Sequence, residues 1–216
     1  MKIYAISGLG ADKRVFNFLK LNHTIIALDW IEPNKEESLE SYSNRLLAEI
    51  DKKSDFVLIG VSFGGLVAVE ISKIIEPQLT FLISSAETRS ELNPIYRLIG
   101  RLKILEKIPS KFFDPPRQLV HFLFGTSNKG LLNKILDDSD LSFVKWAVTK
   151  LTQWSNEEKL SNVIRIHGTA DKLIPWKNCR EVYMIEGGQH FMIVDKAEEI
   201  SNIINEEIKT HPNINN

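Results

Sequence analysis

The chain has 216 residues, 27 basic against 28 acidic side chains and a formal net charge of -1 at pH 7. That balance gives no reason to expect nucleic acid as a partner, the lone Cys179 excludes an internal disulfide, and no apolar run reaches the length of a membrane span. The composition describes one globular unit with room for an insertion and a large core, and because Met1-Lys2 leads within a few residues to glycine, with no apolar signal region, the expected location is cytoplasmic.

Lys2 to Ile6 reads as a short strand that runs into Ser7-Gly8-Leu9-Gly10, and Ala11 to Leu21 as a helix with Val15, Phe16 and Leu19 on one side. A second strand spans Thr24 to Asp29. Ser38 to Ile50 carries Leu39, Tyr42, Leu46, Leu47 and Ile50 at helical spacing. Phe56 to Val61 is the third strand; it stops at Ser62 and the chain resumes as a helix with Leu66, Val67, Val69, Ile71 and Ile74. Leu79 to Ser85, Asn162 to Gly168 and Val182 to Glu186 supply three more strands, and Ala197 to Lys209 closes the chain as a helix. Strands alternating with helices predict a parallel α/β sheet of about six strands with both faces covered.

Residues 88 to 160 break the alternation with helical patterning punctuated by Pro109 and Pro115-Pro116. That length is too great for a connection and predicts a helical cap, 88–160, on a core made of 1–87 and 161–216. Its apolar residues, Ile95, Leu98, Phe112, Leu119 and Phe122 among them, are expected mostly in cap core and cap-to-sheet packing, with part lining an acyl pocket. Arg97, Arg101, Lys103, Lys107, Lys111 and Arg117 make its first half basic. They read as a solvated helix face or as a docking surface for an acidic carrier or a carboxylated substrate.

Gly60-Val61-Ser62-Phe63-Gly64-Gly65, set between strand and helix, is the pattern of a nucleophile elbow. A turn this sharp strains the serine backbone and leaves no room for side chains two residues before and after it, so Gly60 and Gly64 supply the missing Cβ atoms. Oγ of Ser62 then stands above the strand end, the helix N-terminus favours developing negative charge, and the Phe63 N–H serves as one oxyanion donor. Loops after the first and third strands converge where strand order reverses, which makes the Leu9 N–H the second donor. A phosphate-binding role is weaker, because Ser7-Gly8-Leu9-Gly10-Ala11-Asp12 lacks the last glycine of a dinucleotide fingerprint.

A serine hydroxyl needs a base, and an imidazole serves when a carboxylate fixes its tautomer. His190, after Gly187-Gly188-Gln189, is the best placed base; His23, His121 and His211 compete less well, and His167 is expected to order its own loop. Asp171, just past the fifth strand, is the candidate acid, with Glu87 as runner-up; Asp195 is expected to cap a helix. The chain order Ser62, Asp171, His190 is the one this scaffold uses. No cysteine and histidine cluster has metal-ligand spacing, and Cys179 reads as a small core-facing residue.

With these motifs, and His167-Gly168-Thr169-Ala170-Asp171 and Gly187-Gly188-Gln189-His190, the sequence resembles the α/β-hydrolase superfamily over most of the chain outside the cap. It looks most like small capped serine esterases, a group that includes carboxylesterases and methyl-ester hydrolases of acyl carrier proteins. The resemblance implies Ser62 as nucleophile, Asp171 as acid, His190 as base and the amides of Leu9 and Phe63 as oxyanion hole. Three departures stand out. Ser7-Gly8 replaces a usual His-Gly, the two leading strands of full-length members do not precede Lys2, and Lys172 to Glu181 is too short for the usual helix. The last of these leaves open a shifted distance between Asp171 and His190.

The expected function is a cofactor-free serine hydrolase acting on an ester or thioester of a small or medium acyl group, free or carrier-bound. Hydroxynitrile lyase or carbon–carbon bond hydrolase chemistry is the alternative on the same fold, and a non-catalytic ligand-binding module is the alternative from another class.

Overall fold

The computed structural model describes residues 1–9, 11–52, 54–176 and 182–211, so Gly10, Cys179 and part of the Lys172 to Glu181 stretch lie outside the described residues. One sheet runs through the molecule. Its strands are β1 (Lys2–Ile6), β2 (Thr24–Leu28), β3 (Phe56–Val61), β4 (Leu79–Ile83), β5 (Val163–Gly168) and β6 (Val182–Ile185), ordered β2-β1-β3-β4-β5-β6 with every neighbouring pair parallel. Strand order reverses between β1 and β3, and the loops after these two strands border the crevice that opens beyond their carboxyl ends.

The two-residue period of a strand sorts the core. Ile3, Ala5, Val57, Ile59 and Val61 point to one face, and Tyr4, Ile6, Phe56 and Leu58 to the other. Helices α1 (Leu39–Leu46) and α2 (Phe63–Ser72) cover the second face; α8 (Met192–Asp195) and α9 (Ala197–Thr210) cover the first, burying Ile200, Ile204 and Ile208. Each of these buried aliphatic side chains stabilises the fold by about 1.5–3 kcal/mol.

The helix expected over Ala11 to Leu21 is instead a 3-10 turn over Lys13–Phe18. Asp12 caps it, accepting from the Arg14 N–H, and Val15 and Phe16 are buried as the pattern requires. Beyond it, side chains of α9 take the backbone groups that another helical turn would use. Ser201 Oγ accepts from the Lys20 N–H, and the Asn205 amide accepts from the Asn22 N–H and donates to the Lys20 carbonyl. Ile74, read as part of the elbow helix, falls past its end and is half exposed.

Between β4 and β5 the described elements are 3-10 turns and the helices α3 (Pro94–Arg101), α4 (Ile104–Lys107), α5 (Arg117–Phe124), α6 (Lys129–Asp137) and α7 (Leu141–Gln153). This segment is fastened to both faces of the sheet: Val120, Leu132 and Ile135 join one core cluster, and Ala147 and Trp154 the other. Trp146 packs on Tyr42 with ring centroids 4.5 Å apart, and the Trp154 indole N–H donates to the buried Glu70 at 2.7 Å. Its apolar residues do not all pack inward, however. Ile95 and Leu98 of α3, Phe112 of the 3-10 turn Ser110–Phe113, and Leu119 and Phe122 of α5, expected in cap packing, are exposed, because these elements turn the positions outward. Among the described residues no helix is long and apolar enough to cross a membrane.

Candidate active site

β3 ends at Val61 and α2 begins at Phe63, so Ser62 alone makes the turn, with φ 51° and ψ -121°. A non-glycine residue in this region costs of order 1–3 kcal/mol and persists only where its surroundings hold it. Here the end of β4 and the residues just after it do the holding. The Ser62 N–H donates to the Ile83 carbonyl at 2.9 Å, and the Ser85 hydroxyl donates to the Ser62 carbonyl at 2.6 Å.

The glycines around the turn are needed for contact with neighbours on both sides. A Cβ on Gly60 would stand 2.5 Å from Gly65 Cα, and one on Gly64 would stand 2.2 Å and 2.4 Å from the carbonyl oxygens of Ser7 and Ile6. The second clash is with the backbone of the β1 end, which cannot swing aside. Gly64→Ala is therefore expected to destabilise the protein by about 3 kcal/mol or more, at the upper end of overpacking costs. Gly130, in α6, has nothing within 4 Å of its would-be Cβ; Gly130→Ala is expected to stabilise by roughly 0.5–1 kcal/mol. Urea denaturation of both variants checks the contrast.

The loop after β1 comes down beside the serine. A Cβ on Gly8 would lie 3.1 Å from Ser62 Cβ, and Leu9 lines the cavity above Ser62. Where the resemblance leads one to expect a histidine, Ser7 is buried and its hydroxyl donates to the Ala11 carbonyl at 2.9 Å, closing the loop on itself. Phe63 is the first residue of α2, so its N–H has no partner within the helix.

Ser62, His190 and Asp171 are brought together. Ser62 Oγ is 2.8 Å from His190 Nε2, and His190 Nδ1 is 2.9 Å from Asp171 Oδ2. An ionised carboxylate only accepts, so Nδ1 carries the proton and Nε2 is left to accept from the serine hydroxyl. The distance between Asp171 and His190 is an ordinary hydrogen bond, so the short stretch after Asp171 does not displace it. The other carboxylate oxygen accepts from the N–H groups of Leu173 and Ile174 at 2.9 Å and 3.1 Å. His167 orders the same loop, as expected, by donating from Nε2 to the Ile174 carbonyl at 2.6 Å. Burial pushes the Asp171 carboxyl up, but the His190 imidazole and the hydrogen bonds from His167 and His190 outweigh it and hold it well below the usual carboxylate range.

The remaining candidates lie elsewhere. Glu87 is buried against Arg165, 3.2 Å from its guanidinium, and accepts from the Leu160 N–H. Asp195 does not cap a helix: it accepts from the Ser127 hydroxyl at 2.5 Å, tying the loop after α5 to α8. His121 bonds Asn133, while His23 precedes β2 and His211 follows α9.

Sequence reasoning missed Ser85 and Tyr96. The Tyr96 hydroxyl of α3 donates to the Leu173 carbonyl at 3.0 Å, and Lys172 donates to the Phe122 carbonyl while lying 3.8 Å over the Phe122 ring. The helical segment thus grips the Asp171 loop from two sides. Phe124 stands edge-on to the His190 ring, with centroids 5.3 Å apart. No sequence signal marks Tyr96, whose partner is a backbone group 77 residues away.

Above Ser62 and His190 lies a cavity of about 370 Å³, walled mainly by apolar side chains of the helical segment, such as Phe113, Val120, Phe124, Leu136 and Val148. No protein-family model and no curated protein matches the chain. Solved structures do. An esterase from Thermogutta terrifontis shares 14% identity over 98% of this chain and 90% of its own, with a TM-score of 0.73. The meta-cleavage product hydrolase of Pseudomonas fluorescens shares 16% over 97% and 90%, with a TM-score of 0.72. ClbQ, from the colibactin NRPS/PKS pathway, shares 16% over 99% and 98%, with a TM-score of 0.64. The chain has the α/β-hydrolase fold. In this α/β-hydrolase sheet, Gly8-Leu9, Ser62, Asp171 and His190 all sit on loops at the carboxyl ends of β1, β3, β5 and β6, the end where the strand order opens its crevice.

Proposed function

We propose that the chain is a serine hydrolase that cleaves a carboxylic ester or thioester of a small or medium acyl group. The observation that carries this reading is the unbroken hydrogen-bonded line from Ser62 Oγ through His190 to Asp171, ending beneath an apolar cavity. In this reading His190 Nε2 takes the Ser62 proton as Oγ bonds to the substrate carbonyl carbon. The oxyanion is received by the N–H groups of Leu9 and Phe63 at the N-terminus of α2. His190 then returns the proton to the leaving alcohol or thiol, and water, deprotonated by the same imidazole, hydrolyses the acyl-Ser62 ester.

Residues 88–160 act in this reading as a cap over a core of 1–87 and 161–216. At about 30 Å³ per water-sized unit the cavity holds roughly a dozen such units, which suits acyl chains of about six to ten carbons. The solved esterase with the same fold supports ester chemistry, and the carbon–carbon hydrolase keeps that alternative in view. The described cavity walls contain no lysine or arginine, and their one acidic residue, Asp114, pairs with Arg117 at 2.7 Å, so the extra charged group that a lyase generally uses beside the serine finds no cationic counterpart there.

The test is intact mass after a fluorophosphonate probe, followed by a p-nitrophenyl ester series from acetate to laurate. Wild type is expected to gain one phosphonyl adduct, Ser62→Ala none, and turnover to peak between hexanoate and decanoate. A folded protein that takes no label overturns the reading.

A further inference from the structure

Seven of the thirteen large apolar side chains exposed among the described residues fall between Ile95 and Phe122, including Phe112 at 67% and Phe122 at 61%. Ile95 and Leu98 of α3 and Leu102, the residue that caps its C-terminus, recur at helical spacing on one stripe, and Leu119 and Phe122 share one of α5. The two helices that carry these stripes reach neighbouring residues of the Asp171 loop, Tyr96 of α3 holding Leu173 and Phe122 of α5 carrying Lys172. Phe112 is both two-thirds exposed and a wall of the cavity, so the cavity opens within this patch. Scattered apolar surface is ordinary, but a patch of this extent around a cavity mouth marks an interaction surface.

Its charge says what it fits. From Pro94 to Phe113 there are five basic residues, Arg97, Arg101, Lys103, Lys107 and Lys111, and one acid, Glu106, in a protein whose net charge is -1. Glu106 accepts from Gln153, and none of the five cations has a carboxylate within ion-pair distance among the described residues. A second copy would bring the same excess of positive charge against itself. An acidic protein would pair with the cations but would need a shaped apolar surface for side chains spread over four elements. A bilayer with anionic headgroups satisfies both demands, because separate side chains enter the acyl region independently while lysine and arginine stems reach back to phosphate.

We infer that this rim docks onto an anionic lipid bilayer and presents the cavity mouth to it. That the docked protein then hydrolyses acyl esters held in the bilayer rests on the hydrolase reading above; docking itself does not. The experiment is sedimentation with extruded vesicles of phosphatidylcholine alone or with three-tenths phosphatidylglycerol, on wild type, Leu98→Ser/Leu102→Ser and Lys103→Glu/Lys107→Glu, with melting temperatures confirming that each is folded. Wild type is expected to bind the anionic vesicles at least about tenfold more tightly than the neutral ones, and each variant to lose that margin. Equal binding to both vesicles overturns the inference, as does a variant pair that binds like wild type. So does a wild-type dimer in place of vesicle binding, lost in Leu98→Ser/Leu102→Ser. Because sedimentation needs no turnover, a chain that binds vesicles yet takes no fluorophosphonate sinks the hydrolase reading and leaves docking standing.

Discussion

Replacing Ser62 by alanine is expected to lower ester turnover by about ten thousand- to a million-fold, the range seen when the nucleophile of a serine–histidine–acid unit is removed. Alanine leaves the turn in its unfavourable conformation, so the melting temperature should stay near that of wild type. Glycine at the same position separates the two effects. Ser62→Gly abolishes turnover equally, but glycine adopts φ 51° and ψ -121° freely, and the relief of of order 1–3 kcal/mol exceeds the added unfolded-state entropy of up to about 1 kcal/mol. A net gain of about 1 kcal/mol raises the melting temperature of a chain this size by roughly 2–4 °C. Calorimetry of the two variants beside wild type reads the stability held back for reactivity; a glycine variant that melts below the alanine one would refute the account.

Asp171→Asn is expected to cost about ten thousand-fold in turnover with little change in KM. The amide that replaces Oδ2 can donate, which favours the imidazole with its proton on Nε2, where it can no longer accept from Ser62 Oγ. Stability should follow with a defined pH signature. The folded carboxyl titrates below the value near 4 of an unfolded aspartate, so its contribution is fully present at neutral pH and is lost as pH falls below about 4. The melting-temperature gap between wild type and Asp171→Asn should accordingly be widest at pH 6 to 7 and close progressively under acid. A gap that is unchanged at pH 3 would mean that the carboxylate is not held as the geometry describes.

The six strands were legible because each is an apolar run bounded by turn residues, and the elbow because Gly60, Ser62 and Gly64 satisfy a steric demand that few other residues meet. Asp171 and His190 were legible by position, since each follows a strand on the same end of the sheet. What holds them was not. Tyr96 is chosen by a carbonyl at Leu173, and Ser85 by a carbonyl at Ser62, and backbone acceptors leave no trace in composition or period. The same limit explains the segment from Lys13 to Phe18, where Ser201 and Asn205, nearly two hundred residues downstream, take the backbone groups of Lys20 and Asn22. It also explains the exposed faces of α3 and α5. An apolar stripe announces that it can be buried, and only the arrangement of neighbours decides whether it is.

The two grips on the Asp171 loop join access to reactivity. For α3 and α5 to swing away and widen the mouth, the Tyr96 bond to Leu173 and the Lys172 contacts with Phe122 must break, and with them goes the support of the segment whose amides hold the carboxylate. In the serine-hydrolase reading, a molecule opened in this way loses the support of Asp171 and with it the activation of Ser62. The line from Ser62 to Asp171 is fully held only with α3 and α5 in the positions described.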